Sequence, residues 1–506
     1  MGLHSRYTGA ANIINSSGLA VLGAALLAAV PTDAANARGR EQSIADVPVS
    51  VTAVDTEMLS RRGIMDVPDV VFIPGTNGQT AVPARFLRGS PNAQATSFQD
   101  YGGGSDFSAM LFNLDPVYGH GGYQSGVFTS SLQPYAFQFE GGEILIKFHG
   151  QSNSGLVSYD NGNPVRDDTF IGTNPATPSY VGMSAGGVLD SGVYFGANLS
   201  ASFAFNKWDV QRDDDDLDAG CDYEKLDRNV CLQKAELFIG TRELGKVYLG
   251  LGETAYAGLH SMTLGPIAHV TNSDPNLRAG EHEVFGFGSN YALFTPDVTG
   301  VQEASRVKYV SPTIAGFMLS ASAGEPDHVG AGFDVGDDYW DIALRYAGEF
   351  GAFRVAAGIG YQDFDRNQSS YSQQNLTGTA SLMHVPSGVF VTFNYTNSNR
   401  DAPMALGATD VDSADSFYAH AGITQKWFSI GQTTIYGEYG VTDDGESSGA
   451  FYTRGSEQTN FGVGLVQNFD RYGVSAYLTY NNIGAERNGA KAEDIDIITA
   501  GWRTKY

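Results

Sequence analysis

Cysteine is nearly missing from this chain. Only Cys221 and Cys231 occur among 506 residues, too few for a zinc site and enough for one disulfide. Positive charge is scarce as well: 30 Lys plus Arg stand against 56 Asp plus Glu, a formal net charge of −26, which leaves no extended basic patch to neutralise nucleic acid. Past the N-terminus no apolar run approaches the roughly 20 residues that a membrane helix needs, which excludes a helical membrane protein. Catalytic patterns are equally thin. The nine histidines are scattered and none pairs with a carboxylate at zincin spacing. GLGE near Gly250 lacks the further glycines and the following helix of a phosphate cradle, and paired acids such as Asp337 and Asp338 fall in loop-like stretches. The acidic run at 213–216 does not have EF-hand spacing and reads as a solvated loop. Nothing here points to an enzyme, a cofactor or a metal.

What is abundant is glycine, 63 residues, with 29 Phe and 26 Tyr. That combination suits β-structure with aromatic girdles. A mean hydropathy of −0.18 does not argue against a transmembrane β-barrel, whose strands alternate apolar-out and polar-in. The N-terminus carries His4 and Arg6, an apolar stretch GLAVLGAALLAAV from Gly18 to Val30, and the small-x-small set Ala35, Asn36, Ala37. Residues 1–37 therefore read as a cleaved signal peptide, with the mature chain starting at Arg38. In the oxidising compartment this implies, Cys221 and Cys231, nine residues apart in an acidic segment, suit a loop disulfide.

From Glu143 to the end the pattern is strand, turn, strand, loop. In VYFGANLSASFAF, 193–205, Phe195, Ala197, Leu199, Ala201, Phe203 and Phe205 share one face, while Asn198, Ser200 and Ser202 share the other. VFVTFNYT alternates likewise: Val389, Val391, Phe393 and Tyr395 oppose Thr392, Asn394 and Thr396. Sixteen such segments can be counted, near residues 143, 178, 193, 233, 246, 304, 317, 339, 353, 376, 389, 417, 433, 459, 474 and 496. Short turns such as TRELGK, SPTIAG and HVPSG alternate with long polar connections at 160–176, 208–231, 255–302, 324–338, 397–416 and 441–457. An up-and-down barrel crossing one membrane predicts this asymmetry. A soluble β-sandwich or lectin also has alternating strands, but it does not account for the long-short rhythm.

Two resemblances follow. KFHGQSNSGLVSYDNG from Lys147, AELFIGTRELGKVYLGLGE from Ala235, SRVKYVSPTIAGFMLSASAG from Ser305 and the closing GWRTKY from Gly501 resemble Gram-negative general porins. Gly501 and the terminal Tyr506 are similar to that family's barrel-assembly signal, although Thr504 stands where an apolar residue is usual. Before the barrel, REQSIADVPVSVTAVD from Arg40, RRGIMDVPDV from Arg61, IPG at Ile73 and FLRG at Phe86 resemble the start of a TonB-dependent receptor plug domain. The expected organisation is a signal peptide at 1–37, a plug-like segment at 38–92, a connector at 93–142 and a porin-like barrel at 143–506. The expected fold class is all-β: a 16-stranded antiparallel transmembrane β-barrel preceded by a small α+β plug-like segment.

The porin resemblance implies an outer-membrane homotrimer in contact with lipid, passing small hydrophilic solutes and ions by diffusion without a cofactor. It also implies that the third external loop, by order 255–302, folds into the lumen and constricts it. That loop carries Asp274, Glu281, Glu283 and Asp297, with Arg278 opposing. Strand parity turns Lys147, Lys246, Arg306, Lys308, Arg345, Arg354 and Arg503 away from lipid, so a basic wall would face an acidic loop. The plug resemblance implies instead gated uptake of a chelate or vitamin. That family has 22 strands where sixteen are found here, and no recognisable TonB box precedes Arg40, which sets a TonB-type energy partner aside.

Overall fold

The computed structural model describes residues 142–505 apart from 164–167, 204–229, 327–337, 367–370, 402–409 and several shorter breaks, plus the backbone of Val70–Phe72, Ala81–Pro83 and Tyr135–Phe139. The proposed signal peptide, nearly all of the plug-like segment and connector, Cys221, the acidic run at 213–216 and Tyr506 lie outside the described residues. The side chain of Cys231 does too. In the plug-like segment, Val70–Phe72 pairs antiparallel with Ala81–Pro83.

Sixteen long strands close into an antiparallel barrel. In chain order they are β1 (Gly142–Asp160), β2 (Ser179–Val188), β3 (Tyr194–Phe203), β4 (Val230–Thr241), β5 (Gly245–Glu253), β6 (Glu303–Val310), β7 (Phe317–Glu325) and β8 (Tyr339–Phe350). They continue as β9 (Phe353–Arg366), β10 (Tyr371–His384), β11 (Val389–Asp401), β12 (Ser413–Phe428), β13 (Gly431–Asp443), β14 (Ser456–Phe469), β15 (Val474–Arg487) and β16 (Ile495–Lys505). Each strand pairs with its neighbours in sequence, and the seam closes where β16 pairs with β1, Asp496 opposite Asp160 and Lys505 opposite Gln151. Closure leaves no unpaired edge in hydrocarbon.

The period-2 pattern sets which side is which. Leu199, Leu237, Val307, Ile342, Phe393, Phe461 and Trp502 stand exposed on the outside, while Asn198, Ser200, Glu236, Arg306, Asp341, Asn394, Asn460 and Arg503, one residue away in each strand, are buried inside. A soluble protein would hide the first set. Here lipid covers it.

Three details depart from the plain hairpin pattern. Residues 144–151 of β1 pair with β2, but 154–159 pair with a separate strand, Asp168–Thr173, inside what reads as a long loop in the sequence. The wall beside β1 is thus broken at Asn174, whose amide donates to the Asn153 carbonyl at 3.1 Å. On the other edge of β1, Tyr135–Phe139 pairs with 142–146, at the short-turn end of the seam. At the long-loop end, Asp410–Val411, Ser447–Ser448 and Phe451–Thr453 form a small sheet. The Arg400 guanidinium lies over the Tyr452 and Tyr371 rings at 4.0 and 4.7 Å, tying that sheet to the barrel rim.

Candidate functional site

The connection between β5 and β6 does not stay outside the barrel. Its roots are bent inward by polar residues of β8 and β9. Asp341 and Arg345, four residues apart on β8, share the inner face. The Asp341 carboxylate accepts from the amides of Tyr256 at 2.8 Å and Ala255 at 3.3 Å, and Arg345 donates to the carbonyls of Ala255 and Ala257, both at 2.8 Å. Gln362 of β9 fixes the other root. It accepts from the Val301 amide at 2.7 Å, donates to the Val301 carbonyl at 2.9 Å, and reaches the Asp341 carboxylate at 3.2 Å.

From there the loop runs down the inner face of β10. Gln373 and Asn375 donate to the Asp297 carbonyl, Thr377 bonds the Tyr256 hydroxyl, Thr379 donates to the Leu259 carbonyl, and Ser381 accepts from the Leu264 amide. Every second residue from 373 to 381 is engaged. At ~3.3 Å per residue the loop is docked along about 26 Å of this strand. Leu259, Met262, Leu264 and Ile267 are fully buried there, in one apolar cluster with Ala343, Ala356, Met383 and Phe390 of the wall. Gly358 and Gly360 leave room for it: a Cβ at either would fall within 2.7 Å of Leu259.

Further contacts carry the loop across the lumen. Thr263 bonds Thr392 of β11 and His420 of β12, and Thr271 donates to Glu438 of β13 at 2.6 Å. Glu438 also accepts from Tyr418 and Asn481, both at 2.6 Å. The His269 carbonyl accepts from Asn153 and Asn174, and Asn161 donates to the Glu283 carbonyl. Near the long-loop end, stacked Phe287 and Phe294 lie under Arg487, which pairs with Glu446. Burial pushes His260 down to about 4 against the opposing pull of Asp297, and holds His269 well below the usual imidazole range.

The residues singled out from sequence fall as follows. Lys246, Arg306, Arg345, Arg354 and Arg503 lie buried on the inward face, and Lys308 faces the same way; the Lys147 side chain is outside the described residues. They are not one continuous basic surface. Arg306 pairs with Glu236, Arg354 with Glu349 at 2.8 Å, and Arg345 is held on backbone carbonyls. Lys308 lies 5.3 Å from the Tyr248 ring centre. Of the loop acids, Glu281 is outside the described residues, as is the Arg278 side chain. Asp297 accepts from Thr299 and the Gly300 amide, and Asp274 from the Asn276 amide, so both cap turns of the loop itself. Glu283 meets the wall through its backbone.

Four inward residues were missed: Lys234 and Glu236 on β4, Asp341 on β8 and Glu438 on β13. Lys234 pairs with Glu253 at 2.9 Å, and Glu236 accepts from Asn198 at 2.8 Å. Gly250, at φ +119°, shapes this patch: its carbonyl takes Arg306 at 3.0 Å, and a Cβ there would sit 2.4 Å from the Ala235 carbonyl oxygen. Among the described residues no group of three or more His, Cys, Asp or Glu is placed to hold a metal ion.

The sequence model of Gram-negative porins matches residues 143–488. A search of curated proteins finds no match. Among solved structures, the chain is similar to an anion-selective porin from Comamonas acidovorans, at 13% identity over 72% of this chain and 100% of that one, with a TM-score of 0.49. It is also similar to OmpT, an outer membrane protein of Vibrio cholerae, in a trimer form (15% identity, 72% and 99% coverage, TM-score 0.45). A third is Salmonella typhi OmpF in complex with daunomycin (10% identity, 74% and 100% coverage, TM-score 0.46).

Proposed function

This chain belongs to the Gram-negative porin family, an outer-membrane channel built on a sixteen-stranded barrel, and from that premise we propose passive diffusion of small hydrophilic solutes and ions past a constriction made by loop 255–302. The observation that carries the constriction is the docking of this loop onto five successive inward residues of β10, from Gln373 near the long-loop end down to Ser381, three residues before the short-turn end. A loop held there narrows the water-filled section without closing a catalytic site. Solutes pass without turnover or cofactor, and selectivity comes from size and from charges lining the route. The route's basic residues in this reading are Lys246, Arg306, Lys308, Arg345, Arg354 and Arg503, with Lys147 added on strand parity in the sequence alone. They are offset by Glu236 and Glu253 on the same wall as well as by Asp274, Glu281, Glu283 and Asp297 of the loop. Acidic external loops favour cations at the mouth. A trimer is the working assembly in this reading, as in the trimer form of the Vibrio cholerae protein.

Residues 38–92 favour a second element of the same reading. Their likeness to the start of a TonB-dependent receptor plug supports reading residues 38–140 as a periplasmic or lumenal appendage that partly occludes an ordinary porin. Gated uptake of a chelate or vitamin, the alternative, calls for a larger barrel than the sixteen strands present. Single-channel recording in planar bilayers separates the two: chain 38–506 is compared with a form lacking 38–134, which keeps the Tyr135–Phe139 strand. Openings from both with a cation-biased reversal potential, smaller in the longer form, are expected of a porin with a partly occluding appendage, and equal openings make the appendage peripheral. Silence from the longer form alone identifies an occluding plug.

A further inference from the structure

The far end of the loop is held by three buried residues from three different parts of the wall. The His269 carbonyl accepts from Asn153 of β1 at 2.9 Å and from Asn174, at the break in the wall beside β1, at 3.1 Å. Tyr477 of β15 completes the arrangement. Its hydroxyl donates to the Asn153 side-chain oxygen at 2.9 Å and lies 3.3 Å from the Asn174 amide nitrogen, while the His269 ring meets the Tyr477 ring edge-on at 6.0 Å. Asn153, Asn174, His269 and Tyr477 are all buried.

Reaching Asn153 from β15 means crossing β16, and a side chain on β16 would stand in the way. Tyr477 is in register with Gly501, and Gly501 with Gly155 of β1. A Cβ on Gly501 would fall 2.3 to 2.4 Å from the Tyr477 ring and hydroxyl atoms. Gly501 is therefore the gap through which the ring crosses. The interruption of the wall at Asn174 supplies the third member, since a continuous strand would keep that side chain in a ladder position.

We infer that Tyr477, lying across Gly501 and bonded to Asn153 and Asn174, is a positioning latch that fixes loop 255–302 through the His269 carbonyl and thereby sets the bore. This rests on the porin reading above. The latch acts on solute passage only through the loop: none of its side chains needs to touch a permeant. Because the carbonyl is main chain, the device depends on the wall residues and not on the loop's own side chains.

Two variants test it by different routes. Tyr477→Phe removes the hydroxyl and keeps the ring. Gly501→Ala removes no polar group and pushes the ring off Asn153. Both are made in the full mature chain, folded into trimers whose heat-modifiable band is intact, and recorded in planar bilayers with polyethylene glycols of graded size. Tyr309→Phe, which removes an exposed outward hydroxyl on β6 that donates to the Leu244 carbonyl, is the control. The expected result is that both variants show brief excursions to a different conductance at least fivefold more often than wild type. They also admit a larger polymer, whereas the control does neither. A residue of purely structural importance would lower the melting point of the barrel and leave bore and polymer limit unchanged. Wild-type bore and excursions in folded Tyr477→Phe overturn the latch and leave the porin reading intact, whether or not Gly501→Ala folds. A folded wild-type barrel that conducts nothing both with and without residues 38–134 overturns both.

Discussion

Replacing Asp341 should release the inward root of the loop while leaving the barrel standing. The carboxylate accepts from Tyr256, Ala255, Ser322 and Gln362. Ala255 also has Ser322 Oγ at 2.9 Å, and Gln362 also has the Val301 carbonyl, so the Tyr256 amide depends on Asp341 most directly. A buried hydrogen bond to a charged acceptor contributes about 1.5–3 kcal/mol, and a buried amide left without an acceptor costs a similar amount. Since these overlap, Asp341→Ala should weaken docking of the root by about 3 kcal/mol, on the order of a hundredfold in its equilibrium with the released loop. Asp341→Asn keeps one acceptor oxygen and should cost roughly tenfold. Hydrogen exchange resolved by peptide, on the folded barrel, reads this population directly. Amides of the peptide covering 255–265 should lose protection in that order, Ala variant before Asn variant, while the β10 and β14 ladders keep theirs. Unchanged protection over 255–265 in both variants refutes the clamp, and so does an equal loss spread over the whole barrel.

Other outcomes follow from the same geometry. His260 is held near 4 in the docked loop against an ordinary 6.5, so the released loop binds more protons between those values. Docking should be strongest above about pH 6.5, weaken as pH falls toward 4 and change little below. Conductance excursions should rise over that window, and His260→Gln should flatten the response; an unaltered pH profile in that variant contradicts it. On the outer rim Asp415, Asp443, Glu457 and Glu486 stand in direct register on four adjacent strands, β12 to β15. Each like-charge pair is unfavourable by roughly 0.2–1 kcal/mol. Glu457→Lys should therefore raise the temperature at which the folded band disappears on a gel, and a lower or identical temperature counts against the register. Leu259→Ala, at a fully buried loop position, should cost about 2–5 kcal/mol of docking and show as lost protection over 255–265 with the barrel ladders intact.

Much of the barrel was legible because each strand repeats one rule. Leu199 out and Asn198 in, or Phe393 out and Asn394 in, are local facts that a period of two reveals. The same parity turned Arg306 and Arg345 inward, and applied backward from Leu237 and Ile239 it turns Glu236 and Lys234 inward as well. Lys234 is obscured from the other direction. The ladder between β3 and β4 slips between Ser200 and Ala201, so counting forward from exposed Leu232 puts Lys234 on the wrong side. The loop's seat was not legible. Its docks join residues far apart in the chain, Asn153 with His269 or Thr271 with Glu438, and no local period links them. The strand Asp168–Thr173 hid in a polar stretch for the related reason that its partner is half of a strand already paired elsewhere. Charge alone also left part of the loop unread: Asp274 and Asp297 accept from backbone amides in turns of the loop, which depends on a fold that composition does not encode.

The central claim is a water-filled barrel narrowed by a docked loop, and single-channel conductance of refolded 38–506 tests it most directly. With graded polyethylene glycols on one side, the account predicts steady openings whose conductance is depressed by small polymers and spared by large ones. It also predicts that Asp341→Ala shifts that size limit upward. A folded, heat-modifiable barrel that passes no current with or without residues 38–134, or one whose size limit is indifferent to Asp341, contradicts it.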